Sequence, residues 1–197
     1  MVAEFRYREI DSLRGLAVLL MVMVHAAAIW SPTQSSDTSS LSYIVAGLGG
    51  LAAPLFITIF GWGLIKSRSS NRANIIKAII LLILQILVNL SSPHLYQPFS
   101  PGILSLFALL IMLKPLIVKI TTNRTIFLLF WLSILLFYGV NSMLFSIQGE
   151  NNWDFRTNTE NLSTVISHLI LTGTYPVLPW ICYAVVGAFL GSSITEG

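Results

Sequence analysis

Charged residues and cysteines are scarce in this sequence. Of its 197 residues, 10% are charged, whereas a soluble domain carries about 25%. Hydrophobic residues make up 55% of the chain. This balance excludes a disordered chain, a soluble nucleic-acid-binding protein and a soluble globular enzyme, and it indicates an integral membrane protein. Because Cys182 is the one cysteine, the chain has no intrachain disulfide and no cysteine metal cluster. The spacing of the three histidines also predicts no metal site.

Apolar segments long enough to cross a bilayer recur along the chain. A spanning helix needs about 20 mostly apolar residues. We therefore predict an all-α, polytopic membrane protein with six transmembrane helices, forming a single membrane-embedded domain over residues 1–197. The predicted spans are approximately residues 15–30, 43–65, 75–90, 102–120, 125–145 and 178–194, and a short amphipathic helix is predicted over residues 162–171 of the longest loop, 146–176.

The basic residues predict the orientation of these spans. All eleven Lys and Arg residues except Arg156 fall near alternate helix ends, which share one side of a strictly alternating path. The positive-inside rule makes that side cytoplasmic. Both termini are then predicted to be cytoplasmic, and the chain is predicted to be a multi-pass protein of the cell membrane.

Three polar residues mark the first predicted helix. Arg14 and His25 are eleven residues apart, which is three turns plus about 20°, so they share a face about 16 Å apart along the axis. Asp11 precedes Arg14 at a spacing that allows an ion pair. A guanidinium can hold a phosphate, and a deeper imidazole can exchange a proton, which would suit a long anionic ligand such as coenzyme A. The alternative is that Arg14 is an ordinary surface anchor and His25 a hydrogen-bonded packing residue.

Several residues in the later segments also have both a functional and a structural interpretation. Gln85 and Asn89 are four residues apart on one helix face, where they can line a polar cavity or hydrogen-bond another helix. His168, in the predicted short helix, is a candidate for facing an acceptor. Pro54 either breaks the second predicted helix beside a cavity or is a tolerated kink in a tightly packed helix.

Three segments resemble membrane acyltransferases related to heparan-alpha-glucosaminide N-acetyltransferase. The start of these enzymes is similar to REIDSLRGLAVLLMVMVH at residues 8–25, and the acyltransferase-3 family has a similar arginine-to-histidine spacing. Their second-helix segment resembles GLAAPLFITIFGWGL at residues 50–64. A later segment resembles TGTYPVLPWICYAVVGAFLG at residues 172–191. The three segments occur in the family's order and are spread over most of the chain.

The resemblance implies transfer of an acetyl group from cytosolic acetyl-CoA, the acyl donor, to an amino sugar or another acceptor on the far side of the membrane. It makes His25 the candidate catalytic residue, as general base or as acyl acceptor. Asp11 and Arg14 would belong to the cytoplasmic entrance for CoA. Pro176, Pro179, Trp180 and Tyr183 would shape the outer side of the cavity. The further candidates for the substrate cavity are Gln85, Asn89, His168 and Tyr175.

Two other functional classes are compatible with the composition. A small transporter component would move an intact solute without depending on acetyl-CoA, and a non-catalytic scaffold would not be stabilised by either ligand. The expected partners are the lipid bilayer and a small-molecule or glycan acceptor, with no nucleic acid. A homodimer is one way in which so short a chain can enclose a cavity.

Overall fold

A computed structural model describes residues 7–30, 40–144, 149–150 and 152–193. Within these ranges, all regular secondary structure is helical, as predicted. The predicted ends of the fifth and sixth spans, residues 145 and 194, lie outside the described residues. The helices are α1 (Arg8–Trp30), α2 (Ser40–Lys66), α3 (Asn71–Ser91), α4 (Ile103–Met112), α5 (Lys114–Thr122), α6 (Arg124–Leu144), α7 (Trp153–Thr157), α8 (Leu162–Ser167) and α9 (Val177–Ser193), and a π-helical turn, His168–Thr172, continues α8.

The chain divides into two compact units, Met1–Phe60 and Gly61–Gly197. In the first unit, α1 and the first part of α2 come close together at Gly49, where an added Cβ would overlap the Val24 side chain. Helix α2 continues through Pro54, so the chain is not broken there. The Thr58 hydroxyl donates a 2.8 Å hydrogen bond to the Pro54 carbonyl one turn earlier.

The second unit is built around α4, α5 and α9. Helix α9 packs against α4 and α5, while α3 packs along α4 and α6 packs against α5. The end of α2 also approaches α9, because Gly61 lies where a Cβ would overlap the backbone of Ala184. The most deeply buried apolar side chains of this core are Leu106, Ala108, Leu110, Ile117, Ala184, Val185 and Ala188.

Helix α3 has its polar side inward and its apolar side outward. Its buried residues are Asn74, Ala78, Gln85 and Asn89, which recur on one helical face. Its isoleucines and leucines are exposed, for example Ile79 at 51% and Leu87 at 56%. In a bilayer an apolar outer face contacts lipid tails, while polar groups bond within the protein. This polarity is that of a membrane helix.

Three described helical segments are long and apolar enough to cross a membrane: Arg8–Ala27, Tyr43–Lys66 and Asn71–Ser91. Two bent helix pairs raise the number of candidate spans to five. The chain is therefore a helical membrane protein, while the six-span path and the placement of the termini stay predictions.

The fourth predicted span is two helices. Helices α4 and α5 meet at Leu113 with a bend of 64°. Pro115, in the first turn of α5, lacks a backbone N–H and disfavours a helical conformation at the residue before it. The sixth predicted span corresponds to α9, which forms the second bent pair, at 45°, with the segment Leu162–Thr172.

Candidate functional site

In the first unit, α1 carries the predicted charge pair. Arg14 Nη1 donates to Asp11 Oδ1 at 3.0 Å, so the ion pair expected from the spacing is present. The Arg14 side chain is 49% exposed, and its remaining N–H groups are directed to no protein acceptor in the described part of the chain. A guanidinium held on one side by a carboxylate in this way keeps donors for a phosphate group.

His25 lies on the same helix, and its hydrogen bond defines its tautomer. Its Nδ1 lies 2.7 Å from the carbonyl oxygen of Met21. Because a carbonyl oxygen can only accept, the neutral imidazole carries its proton on Nδ1 and a free lone pair on Nε2. His25 is exposed. Its Nε2 can therefore accept a proton or attack an acyl carbon.

In the second unit, two amide side chains form a closed hydrogen-bond network that we call the Asn89 cluster: Gln85, Asn89 and the backbone of residues 98–104. Gln85 Nε2 donates to Asn89 Oδ1 at 2.9 Å. Asn89 Nδ2 donates to the carbonyl of Ser100 at 2.8 Å and to that of Pro98 at 3.1 Å. Gln85 Oε1 accepts from the backbone N–H of Leu104 at 3.2 Å. The amides thus bond the α3–α4 loop and the first turn of α4.

The loop between α3 and α4 is tied to the segment around α7. The Ser100 hydroxyl donates to the carbonyl of Thr157. Gln97 Oε1 accepts from the backbone N–H and the hydroxyl of Thr159, at 2.7 and 2.9 Å. These bonds hold the Asn89 cluster beside α7. The Asn152 side chain caps this helix by accepting from the backbone N–H of Phe155 at 2.7 Å.

A second polar group, the His168 cluster, comprises Arg156, Ser167, His168 and Thr172. His168 is 2% exposed, and its Nδ1 lies 2.7 Å from Thr172 Oγ1, which in turn lies 3.2 Å from Ser167 Oγ. Arg156 Nη1 donates to the carbonyl of Gly173 at 3.2 Å. The backbone N–H of Gly173 donates to the carbonyl of His168 at 2.9 Å. Gly173 therefore links Arg156 to the π-helical turn.

Two buried nitrogen atoms of the His168 cluster make no hydrogen bond: Arg156 Nε and His168 Nε2. The carbonyls of Phe155 and Asn158 lie close enough to the imidazole to act on it as acceptors, although neither meets the distance and angle of a full hydrogen bond with Nε2. The Phe155 ring contacts the imidazole edge-on, at 5.5 Å between centroids. The charge of Arg156 is close enough to act on the imidazole.

A row of aromatic rings borders these clusters. Tyr96 packs on Trp153 at 5.4 Å between ring centroids. Tyr175 packs on Trp180 at 5.4 Å, and Trp180 packs on Tyr183 at 5.6 Å. Tyr96 also interacts electrostatically with Tyr175. Burial raises the pKa of the Tyr96 hydroxyl, so that group stays a protonated donor.

The structure thus groups some of the predicted site residues. It brings Gln85 to Asn89, and it brings Tyr175, Trp180 and Tyr183 into one aromatic row, with Pro176 buried directly before α9. His168 lies in its own cluster, with Arg156, Ser167 and Thr172. Membership of a substrate cavity stays a prediction for all of them.

Sequence reasoning missed Arg156 and Ser100 as members of these clusters. Arg156 had a usable signal, because it is the one basic residue in a predicted outer loop. Ser100 had none, since its partner Thr157 is 57 residues away. Among the described residues, no group of three or more His, Cys, Asp or Glu side chains could hold a metal ion.

Comparison with known proteins gives one match. No curated protein and no solved structure matches the chain. The sequence pattern of the family described as heparan-alpha-glucosaminide N-acetyltransferase, catalytic, matches residues 6–197. This match covers nearly the whole chain and includes α1 with Arg14 and His25. The family is one of membrane acetyltransferases, and this chain belongs to it.

Proposed function

We propose that the protein transfers an acetyl group from acetyl-CoA on the cytoplasmic side to an amino sugar, or a related amine, on the outer face of the cell membrane. The observation that carries this proposal is the arrangement on α1. An arginine with free donors and an imidazole with a free Nε2 lie on one helix, eleven residues apart, within the segment that the family match covers.

The charge pair on α1 supports binding of the donor's phosphates. The Asp11 carboxylate fixes one edge of the Arg14 guanidinium, so fewer rotamers are lost when the other donors bind an anion. Three helical turns separate Arg14 from His25, which is about 16 Å. The extended pantetheine arm of CoA is suited to span such a distance, and only the acetyl group then needs to reach the outer side.

At the outer end, His25 acts through Nε2. As a general base, it takes a proton from the acceptor amine while the nitrogen bonds the acetyl carbon and the carbon–sulfur bond breaks. The proton then leaves with the CoA thiolate as a thiol. In the two-step alternative, Nε2 forms the bond to the acetyl carbon, the carbon–sulfur bond breaks, and CoA leaves as a thiolate. The amine then attacks the acetyl-imidazolium, the bond to Nε2 breaks, and the proton of the amine passes to the thiolate. The Met21 carbonyl supports both routes, because it holds the Nδ1 proton and stabilises the imidazolium.

The aromatic row supports a sugar acceptor. Tyr175, Trp180 and Tyr183 offer flat apolar faces next to hydroxyl and N–H donors, a combination suited to a ring that has both apolar and hydroxyl edges. In the proposed six-span topology both termini are cytoplasmic and this row faces outward. A homodimer is part of the proposal as the means of enclosing the cavity.

The test is acetyl transfer by the purified protein in liposomes, with labelled acetyl-CoA and glucosamine. His25→Ala is expected to lower turnover by about 10²–10⁴-fold, the usual contribution of an acid–base group. The matched control is His94→Ala, which removes an exposed histidine of the α3–α4 loop and should leave turnover unchanged. Normal turnover in His25→Ala would overturn the catalytic assignment.

A second arm measures donor binding by calorimetry. Arg14→Ala should raise the Kd for acetyl-CoA about tenfold, because an exposed charge-assisted contact is lost. Arg124→Ala, at the start of α6, is the control on the same predicted side of the membrane. Acetyl-CoA incubated alone, followed by acid quench and mass spectrometry, separates the two chemical routes, since only the two-step route leaves an acetyl group on His25.

A further inference from the structure

The His168 cluster contains buried hydrogen-bonding capacity that the protein does not use. Buried polar groups are nearly always paired, and an unpaired one costs roughly 1–3 kcal/mol. Here two such atoms occur together, Arg156 Nε and His168 Nε2, where α7 packs against the π-helical turn.

Both atoms are suited to donate. Arg156 Nε always carries a hydrogen. The Thr172 hydroxyl can donate to His168 Nδ1 while accepting from Ser167, and the imidazole then carries its proton on Nε2. The cluster thus presents one positive charge and two N–H donors without a full hydrogen bond, of which the one at His168 has only the weakly placed carbonyls of Phe155 and Asn158 nearby.

The charge of Arg156 is not balanced by the neighbouring acids. Among the described residues, no carboxylate lies within ion-pair distance of its guanidinium. Glu150 accepts from Asn152 and Glu160 accepts from Asn158, so these two carboxylates are engaged elsewhere. A partly buried guanidinium without a counter-ion attracts an anionic oxygen.

We propose that Arg156 and His168 form a binding site for one anionic oxygen group, a carboxylate or a phosphate. Arg156 supplies charge and the Nε–H donor, and His168 supplies the Nε2–H donor. Thr172 is a positioning residue, because its hydroxyl bonds Nδ1 and so orients the imidazole. The group belongs either to a soluble molecule or to a lipid headgroup, and the two sources share this chemistry. The proposed site uses none of the α1 residues, so its failure would not count against the roles proposed for Arg14 and His25.

The experiment follows the imidazole directly by nitrogen NMR of protein labelled at its three histidines. Inorganic phosphate and acetate are titrated into detergent-solubilised protein at constant ionic strength, with chloride as the reference anion. We expect a saturable shift of the His168 Nε2 signal and none at His94. In Arg156→Gln the apparent affinity should fall about 10- to 100-fold, whereas Arg124→Gln should bind as the wild type does.

Nanodiscs distinguish the two sources. A shift with soluble phosphate or acetate in phosphatidylcholine discs identifies a soluble ligand, and a shift only when phosphatidylglycerol is added identifies a headgroup. No shift in any arm, or the same shift in Arg156→Gln as in the wild type, would overturn the site. Arg156 is on the short helix α7 and only half-buried, so Arg156→Gln should fold. This variant therefore tests the site even if a His168 substitution prevents folding.

Discussion

The Asn89 cluster and the His168 cluster are both buried and polar, yet they differ in how completely they are bonded. In the first, all four amide nitrogen and oxygen atoms of Gln85 and Asn89 meet protein partners within one network. In the second, two nitrogen atoms are left without a partner. We infer that the first cluster stabilises the fold, because each of its amide nitrogen and oxygen atoms already bonds the protein, whereas the second keeps capacity for a ligand.

Among the variants that test this difference between the clusters, Asn89→Leu should change the free energy of unfolding most. Leucine is close in size but removes the amide that bonds two loop carbonyls and Gln85, leaving those groups buried and unpaired. We expect the free energy of unfolding to fall by about 2–4 kcal/mol, measured by denaturant titration in mixed micelles. Asn71→Leu, at the exposed start of α3, is the control and should change it little. Equal stabilities of the two variants would show that the Asn89 cluster does not hold the loop.

Two glycine-to-alanine substitutions, which differ in what the added Cβ meets, should lower the free energy of unfolding by smaller amounts. A Cβ on Gly173 would overlap the carbonyl of His168, which is fixed backbone, whereas a Cβ on Gly102 would meet the side-chain amide of Gln85 at 2.7 Å. We expect Gly173→Ala to cost about 1–3 kcal/mol, because the backbone cannot shift. Gly102→Ala should cost somewhat less, because the Gln85 side chain can shift, although this lengthens its hydrogen bonds to Asn89 and Leu104. Gly139→Ala, which meets nothing within 4 Å, is the control for both. If Gly102→Ala destabilised the protein more than Gly173→Ala does, the distinction between a backbone contact and a side-chain contact would be wrong.

The positions of several helices could be predicted from the sequence because they depend on local periodicity. The spacing of Asp11, Arg14 and His25 placed them on one helix, and the apolar runs placed α3 and α9 to within a few residues. The bend at Leu113 was missed because the run around it is apolar, although Pro115 is a local signal for it. Features of this kind follow from the periodicity and the residue types of a single segment.

The two polar clusters depend instead on contacts between distant segments. Ser100 meets Thr157 across 57 residues, and Gln97 meets Thr159 across 62. No helical or strand period relates such positions, so only the packing of α7 and the π-helical turn against the α3–α4 loop brings them together. For the same reason the unpaired nitrogen atoms of Arg156 and His168 become visible only once their surroundings are known.

Thr172→Val should have a smaller, local effect on the His168 cluster. Valine keeps the shape of threonine but removes the hydroxyl that bonds His168 Nδ1 and Ser167. We expect a cost of about 1–2 kcal/mol in the free energy of unfolding and a changed tautomer distribution in the nitrogen NMR spectrum of His168. Thr172→Ser restores the hydroxyl and should restore the spectrum. An unchanged spectrum in the valine variant would remove Thr172 from its positioning role.

Gln97→Ala should have the smallest effect, and it tests an exposed network with the same number of side-chain hydrogen bonds. Gln97 accepts two hydrogen bonds from Thr159 and donates one to Asn158 at 3.3 Å, which makes it as well bonded as Asn89. Its side chain is exposed, however, so water can replace every lost partner. We expect a change of less than about 1 kcal/mol in the free energy of unfolding. If Gln97→Ala costs as much as Asn89→Leu, then burial is not what distinguishes the clusters, and the number of hydrogen bonds alone governs their contribution to stability.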